Sequence, residues 1–231
     1  MSEQHKFSIS NDQLSINFQF RNLNEAIEKG ILRTYNSTVM IITYQGDDYF
    51  KLQSGQLTVL VDPVNQRSFK GATAVVNTVR PAKTQPSEEG GFWIDHQGEY
   101  EVQGIHVAGV SLEEKTEGEK TAYRIVFDEV IFGILGYSAK EPTSRVQELL
   151  QECDVLILPG SGKPFIPIEA AAKLIRQLEP SVIIPSLGEN YKPFLKELGQ
   201  EKIGAEEKFV FKKKDLPQKA MAVHPLAPKK S

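Results

Sequence analysis

Short alternations of apolar and polar residues run through the middle of the chain and predict a β-rich layer. The segments with this pattern are "TVMIITY", "YFKLQS", "LTVLVDP", "ATAVVNT", "GFWIDHQ", "EYEVQGIHVAGV", "AYRIVFD" and "VIFGILG". Turn residues such as Gln53-Ser54-Gly55 and Glu89-Gly90-Gly91 separate them. This spacing is typical of sheets built from hairpins.

After Tyr137 the pattern changes to helices that alternate with strands. The segments "TSRVQELLQE" and "IEAAAKLIRQLEP" carry apolar residues at helical spacing, whereas "DVLILP" and "SVIIPS" are almost wholly apolar. The segment "NYKPFLKELGQ" is a third helix candidate. Apolar strands separated by helices predict a sheet that helices cover, and therefore an α/β fold.

The two ends of the chain carry weaker signals. "LSINFQF", from Leu14 to Phe20, alternates without a fault, and Asn24 can cap a short helix that stops near Gly30. "KFVFKKKD" reads as an edge strand protected by lysines. We therefore predict an N-terminal extension over residues 1–36, a main domain over 37–217 and a C-terminal tail or edge segment over 218–231.

Composition narrows the class of partner. The chain has 231 residues, of which 40% are hydrophobic, and a net charge of −3, so it has no basic field that would gather phosphates. We expect neither a nucleic-acid partner nor a membrane partner. The first residues lack a secretion signal and no apolar stretch reaches membrane-spanning length, which predicts a cytoplasmic location. The single cysteine, Cys153, rules out a Cys-based zinc site.

The stretch "ATAVVNTVRPAK" follows the strand "TVLVDPV" after a short gap. Loops that follow two such strands commonly deliver ligands to a metal. Here the loop consists of Val79, Arg80, Pro81, Ala82 and Lys83, and none of these side chains can hold a cation.

The order of these blocks from Ser37 to about Pro217 resembles the metallo-β-lactamase superfamily. The nearest resemblance is to its branch of small bacterial and archaeal zinc-dependent hydrolases related to ascorbate-6-phosphate lactonase. The resemblance implies a four-layer αββα sandwich with a site at one edge. In active members that site binds two zinc ions, and a hydroxide between them attacks a carbonyl or phosphorus centre.

Aligned with this resemblance, the metal ligands are replaced. The family's His-x-His-x-Asp-His falls on Val79, Pro81, Lys83 and Thr84, and a further histidine falls in the run that includes Glu113 and Glu114. The bridging aspartate falls on Tyr137, the last histidine on Leu187, and the early Gly-His-Ser segment on Gly46-Asp47-Asp48. Of the motif residues only Asp62 persists, and the resemblance implies that it braces the ligand loop.

These replacements predict a pseudoenzyme: a binding or assembly protein that needs no cofactor and has no catalytic residues. Its partner is an unknown small molecule or protein, and the residual pocket can accept a small anionic or aromatic ligand. The N-terminal strand and helix can also serve to pair subunits.

The alternative is a hydrolase of esters, lactones or phosphodiesters that holds its metal through carboxylates. The candidates are Asp47, Asp48, Asp62, Glu113 and Glu114, whose oxygens suit magnesium, calcium or manganese better than zinc. The four histidines have no spacing that pairs them. "LPGSGKPF" lacks the full phosphate-loop pattern, so a plain loop is favoured there.

Overall fold

The computed structural model describes residues 38–67, 69–88, 90–112, 118–188, 190–218 and 220–229. The predicted N-terminal strand and helix, and also Glu113 and Glu114, lie outside the described residues. The division into 1–36, 37–217 and 218–231 stays a prediction.

Six strands form the first sheet, in the spatial order β13-β1-β2-β3-β4-β6. Their bounds are Met40–Gly46 for β1, Tyr49–Ser54 for β2, Leu57–Val61 for β3, Ala74–Val76 for β4, Phe92–Ile94 for β6 and Phe209–Phe211 for β13. Burial alternates along β1 and β2, as the periodicity predicted, because one face packs on the core and the other does not. The predicted edge strand near the lysine run is confirmed as β13.

Eight strands form the second sheet, in the order β14-β12-β11-β10-β9-β8-β7, with β5 attached to β9. Their bounds are Val79–Arg80 for β5, Gly98–Val102 for β7, Ile105–Ser111 for β8, Glu119–Phe127 for β9, Val130–Ile134 for β10, Val155–Pro159 for β11, Val182–Ser186 for β12 and Ala222–Val223 for β14. The strands β10, β11, β12 and β14 run parallel, and β11 and β12 are buried throughout.

One strand expected from the sequence is in fact two. The segment "EYEVQGIHVAGV" turns back on itself between β7 and β8, at Gln103 and Gly104, which both have a positive φ. Glycine adopts such a φ without steric cost, so Gly104 allows a tight hairpin inside a run that alternates like a single strand.

Three α-helices are described, and each coincides with a predicted helix. They are α1 at Ser144–Leu150, α2 at Ile168–Leu178 and α3 at Lys192–Glu197. Thr143 occupies the N-cap position of α1, and its side chain makes no capping hydrogen bond. Cys153 is buried in the apolar cluster that joins these helices to the second sheet, and burial raises the pKa of its thiol to about 12.

The main core lies between the two sheets and contains buried residues from both, such as Phe50 and Val59 from the first and Ile125 and Phe132 from the second. A second cluster packs α1, α2 and α3 on the outer face of the second sheet. A smaller cluster around Phe69 covers the first sheet. This arrangement confirms the predicted α/β sandwich and directs several strand ends towards one edge. Within the described part of the chain, no helix is both long and apolar enough to cross a membrane.

Candidate functional site

The candidate site lies where the carboxyl ends of strands from both sheets meet. Asp62 follows β3, Thr78 follows β4, Tyr137 follows β10 and Leu187 follows β12. Asp48 joins them from the turn between β1 and β2. Ligand and active sites of α/β sheets commonly lie at such strand ends.

Asp62 holds the loop that follows β4. Its Oδ1 accepts a hydrogen bond from the backbone N–H of Thr78 at 2.7 Å, and its Oδ2 accepts one from the Thr78 hydroxyl at 2.5 Å. The side chain is only 3% exposed. Burial raises the pKa of Asp62 to about 7, although the two Thr78 hydrogen bonds and the Lys83 charge oppose the rise.

Asp48 lies beside this pair and is still less exposed, at 1%. Neither of its carboxylate oxygens has a hydrogen-bond partner among the described residues. Burial raises the pKa of Asp48 well above its ordinary range, and the nearby Asp62 raises it further. The neighbouring Ser186 hydroxyl, which does not reach a hydrogen bond with Asp48, and the Lys83 charge oppose the rise. A buried acid without a partner is costly when charged, so Asp48 favours its protonated form.

Gly136 lets the segment between β10 and Tyr137 pass close to Asp48 and Thr78. A Cβ on Gly136 would stand 2.6 Å from Oδ2 of Asp48 and nearer still to the Thr78 hydroxyl. Real Cβ atoms do not tolerate such approaches, so the site as folded requires glycine here.

Lys83 crosses the mouth of the site. Its Nζ lies 3.3 Å from Oδ2 of Asp47 and 5.0 Å from the centre of the Tyr137 ring. Both contacts favour an ammonium group, the first by charge and the second by the negative face of the ring. The Tyr137 ring also contacts Phe165 edge-on, with ring centres 6.0 Å apart.

Three further predicted positions support the loops around the site. The backbone N–H of Leu187, a residue with positive φ, donates to the carbonyl of Asp47 at 3.1 Å. The Thr84 hydroxyl donates to the carbonyl of Pro63 at 3.2 Å. Val79 pairs with Lys120 of β9, and the Arg80–Pro81 peptide that follows is cis.

The structure therefore brings Asp62, Lys83, Tyr137 and Leu187 into one site, joined through Asp47 and Thr78. Val79 and Pro81 have no polar side-chain atoms and make no polar contact with the carboxylates. Sequence reasoning passed over Thr78, Gly136 and Ser186, because nothing in the local pattern marks them. Asp48 was considered as one of five candidate carboxylate ligands, and its burial was not predicted. The signal available for it was its place directly before the buried start of β2.

Thr78 provides a test of the hydrogen bonds at Asp62. Replacing Thr78 by Val keeps the shape and removes the hydroxyl donor, and we expect a loss of roughly 2 kcal/mol in the free energy of unfolding, because a buried carboxylate loses a partner. Thr78→Ser keeps the hydroxyl and should lose much less. Urea unfolding of both variants measures the difference. A larger loss in Thr78→Ser than in Thr78→Val would show that the methyl group, not the hydrogen bond, matters.

Solved structures with the same fold come from several bacteria. A Thermotoga maritima protein assigned to the zinc-dependent hydrolases of the metallo-β-lactamase superfamily superposes with a TM-score of 0.63 at 20% identity, over 81% of this chain and 100% of that one. A Parabacteroides distasonis protein assigned as a metal-dependent hydrolase gives 0.60 at 14% identity, over 85% and 97% of the two chains. The metallo-β-lactamase fold protein YhfI from Bacillus subtilis gives 0.57 at 12% identity, over 75% and 99%. At these identities the likeness shows the fold. No curated protein matches the chain.

These similarities correct one prediction. The sequence led us to expect no cofactor, and that expectation is wrong for a chain with such relatives. Two of the three structures are of proteins assigned as zinc- or metal-dependent hydrolases, which points to a metal cofactor rather than to none.

The donor atoms of the site can be compared with what such a metal needs. Within the described ranges, no group of three or more His, Cys, Asp or Glu side chains is placed to hold a metal ion. Both oxygens of Asp62 already accept hydrogen bonds, and Asp48 adds one further carboxylate. Zinc prefers imidazole and thiolate, whereas these donors are all oxygen. The described residues therefore do not fit the two-zinc centre that the resemblance implies.

The family itself is shown by the sequence match over most of the chain. Residues 41–186 match the model of the β-lactamase superfamily domain. This range contains Asp48, Asp62, Gly136 and most of both sheets, including every strand end that borders the site apart from Leu187. The chain therefore belongs to the β-lactamase superfamily domain family and has the metallo-β-lactamase fold.

Proposed function

We propose that this chain is a pseudoenzyme of the metallo-β-lactamase fold, a protein that binds a ligand or partner at the edge of its sheets and does not hydrolyse it. The observation that carries the proposal is the position of Lys83. Its ammonium group lies between Asp47 and the Tyr137 ring, on the loop where the family resemblance implies metal ligands. An ammonium group has no acceptor atom, so this loop supplies no ligand that would place an activated water beside a substrate.

The accessibility of the two carboxylates supports the same proposal. Hydrolysis requires a group that activates water beside the substrate, and Asp48 and Asp62 are the acids nearest to the centre of the site. They are 1% and 3% exposed, so a substrate cannot reach them in this arrangement. Asp62 is further held by both of its bonds to Thr78. Its position supports a role in shaping the loop.

Histidine does not supply the missing chemistry in the described residues. His96 lies beside Asp95, His106 near Glu101, and His224 contacts Glu206 and stacks on a phenylalanine ring. No hydrogen bond or ion pair recorded for these three rings involves the carboxylates of the site, and the resemblance implies a role for none of them.

A second function is favoured by one observation. The Asp48 carboxylate is buried without a hydrogen-bond partner among the described residues, and a bound cation is one way to satisfy it. With the metal-dependent relatives, this supports a hydrolase of esters, lactones or phosphodiesters that uses carboxylate ligands. A metal at Asp48 is compatible with either function, because what separates them is turnover.

A hydrolysis assay separates the two functions. The full chain, supplied in turn with Zn²⁺, Mn²⁺ and Mg²⁺, is assayed with p-nitrophenyl acetate, γ-thiobutyrolactone and bis(p-nitrophenyl) phosphate. We expect rates no higher than those of the Asp48→Asn variant, because no group in the site activates water. Turnover that depends on a metal and is lost in Asp48→Asn would reject the pseudoenzyme and support the hydrolase.

The partner and the location that the sequence predicts remain part of the proposal. We propose a small molecule or a protein as the partner, and the net charge of −3 supports leaving nucleic acid out. A cytoplasmic location is proposed as well.

A further inference from the structure

A cavity of about 620 Å³ opens next to the candidate site. Its walls are mainly aromatic and aliphatic, and include Tyr44, Phe165, Leu187, Tyr191, Leu226 and Pro228. Cavities that bind small molecules typically have this size and an apolar lining with few polar groups. Asp47 is the charged side chain among the described lining residues.

Backbone hydrogen bonds hold these walls in place. The carbonyl of Asp47 accepts bonds from the Tyr44 hydroxyl at 2.8 Å and from the Leu187 N–H at 3.1 Å. On the opposite wall, the N–H of Ala227 donates to the carbonyl of Glu206 at 2.8 Å. These bonds fix the positions of the walls, so a ligand would bind without the cost of ordering them.

The charges around the cavity favour a cation. Burial is the first cause that raises the pKa values of Tyr44 and Tyr137, and the carboxylates of Asp47 and Asp48 raise both further. A negative charge acts on a tyrosine in this way because it disfavours a second negative charge. Because Asp48 favours its protonated form, the negative potential at the aromatic wall comes mainly from the exposed Asp47 carboxylate, which pairs with Lys83.

Lys83 shows that the rim accommodates an ammonium group. Its Nζ contacts the Asp47 carboxylate and the face of the Tyr137 ring together, at 3.3 Å and 5.0 Å. A carboxylate beside an aromatic face is the usual chemistry of sites that bind organic amines. A ligand amine would compete with Lys83 for Asp47, so removal of the lysine should strengthen ligand binding.

We propose that this cavity binds a small organic cation, an amine whose ammonium group pairs with Asp47 and whose ring packs among Tyr44, Phe165 and Tyr191. The inference rests on the proposed binding function and adds the charge and shape of the ligand to it. It replaces the earlier expectation of an anionic ligand, because the charged group in the wall is acidic.

Three probes with the same ring and different charge test the proposal. Binding of phenethylamine, hydrocinnamate and phenethyl alcohol to the full chain is measured by isothermal titration calorimetry at neutral pH. Phenethylamine should bind about tenfold more tightly than the alcohol, because it gains a charge-assisted hydrogen bond, and hydrocinnamate should bind most weakly. Asp47→Asn should remove this advantage and leave binding of the alcohol unchanged, whereas Lys83→Met should increase it.

Two variants test whether the probes occupy this cavity. Ala227→Trp fills the cavity and should abolish binding of all three probes, and Ala205→Trp does so from the other wall if the first variant folds poorly. Glu99→Gln on β7 removes an exposed charge elsewhere and should leave the binding of all three probes unchanged.

Three outcomes would contradict different parts of the proposal. Tighter binding of hydrocinnamate, or binding of phenethylamine that survives Asp47→Asn, would overturn the preference for a cation and leave a binding function standing. Absence of binding by all three probes would overturn the cavity as a ligand site. Metal-dependent turnover in the hydrolysis assay would reject the binding function itself.

Discussion

Replacing Gly136 by Ala is expected to lower the free energy of unfolding by about 3 kcal/mol, the upper part of the range for overpacked interiors. The added Cβ would stand 2.6 Å from Oδ2 of Asp48 and would also meet Thr78, which is fixed by two hydrogen bonds to Asp62. These neighbours cannot move apart without breaking those bonds. The thermal midpoint should fall by roughly 6–12 °C.

Gly204→Ala is the matched control for this substitution. Nothing lies within 4 Å of a Cβ at that position, and its φ is not in the left-handed region. We expect the free energy of unfolding to change by no more than about 0.5 kcal/mol, because a substitution at an exposed position without close neighbours usually has little effect. If Gly136→Ala were as stable as Gly204→Ala, the close approach of the Gly136 segment to Asp48 and Thr78 would not exist in solution.

Replacing Asp48 by Asn is expected to stabilise the protein near neutral pH, by on the order of 2 kcal/mol. The side chain is buried without a hydrogen-bond partner among the described residues, so its charged form is costly. Near neutral pH the folded protein must therefore hold a proton that the unfolded chain releases, and this lowers the free energy of unfolding. Asparagine has the same shape and no charge. The gain should appear in urea unfolding at about pH 7.5 and shrink towards pH 4.

The direction of this pH dependence follows from the raised pKa values. Folded Asp48 and Asp62 keep their protons above 3.8, their ordinary pKa, whereas the unfolded chain releases them there. Stability is therefore greatest below about pH 4 as far as these groups are concerned. It decreases as the pH rises, and for Asp62 the decrease ends near its folded pKa of about 7.

Asp47→Asn serves as the control for Asp48→Asn. The Asp47 side chain is 63% exposed and pairs with Lys83 at the surface, so its removal should change the free energy of unfolding by less than about 1 kcal/mol.

Two results would contradict this prediction for Asp48. If the free energy of unfolding of the unmodified protein did not depend on pH, or if Asp48→Asn were destabilised, Asp48 would be charged and would have a partner in solution.

Much of the fold could be predicted from the pattern of apolar residues. The continuous apolar runs became β11 and β12, and the helical spacing of Leu174, Ile175 and Leu178 became the buried face of α2, because burial itself imposes these periods. The hairpin at Gln103 and Gly104 was missed. Its two strands keep the same alternation on both sides of the turn, so periodicity alone does not reveal it.

The candidate site could be predicted only in part, because its contacts join distant segments. Lys83 and Asp47 are 36 residues apart and meet only when the loop after β5 lies against the β1–β2 turn. In the sequence, Asp47 and Asp48 look like equivalent turn residues, yet one is exposed and the other is buried. That difference depends on β10 and β12, which come much later in the chain. The cofactor was predicted wrongly because the replaced ligand positions were given more weight than the metal-dependent proteins that share the fold.

The rate of hydrolysis in the presence of added metal tests the central claim most directly. With Mn²⁺ and bis(p-nitrophenyl) phosphate, we expect the full chain and its Asp48→Asn variant to hydrolyse the substrate at the same background rate. A rate clearly above background in the unmodified protein that is lost in Asp48→Asn would contradict the pseudoenzyme and identify the chain as a hydrolase.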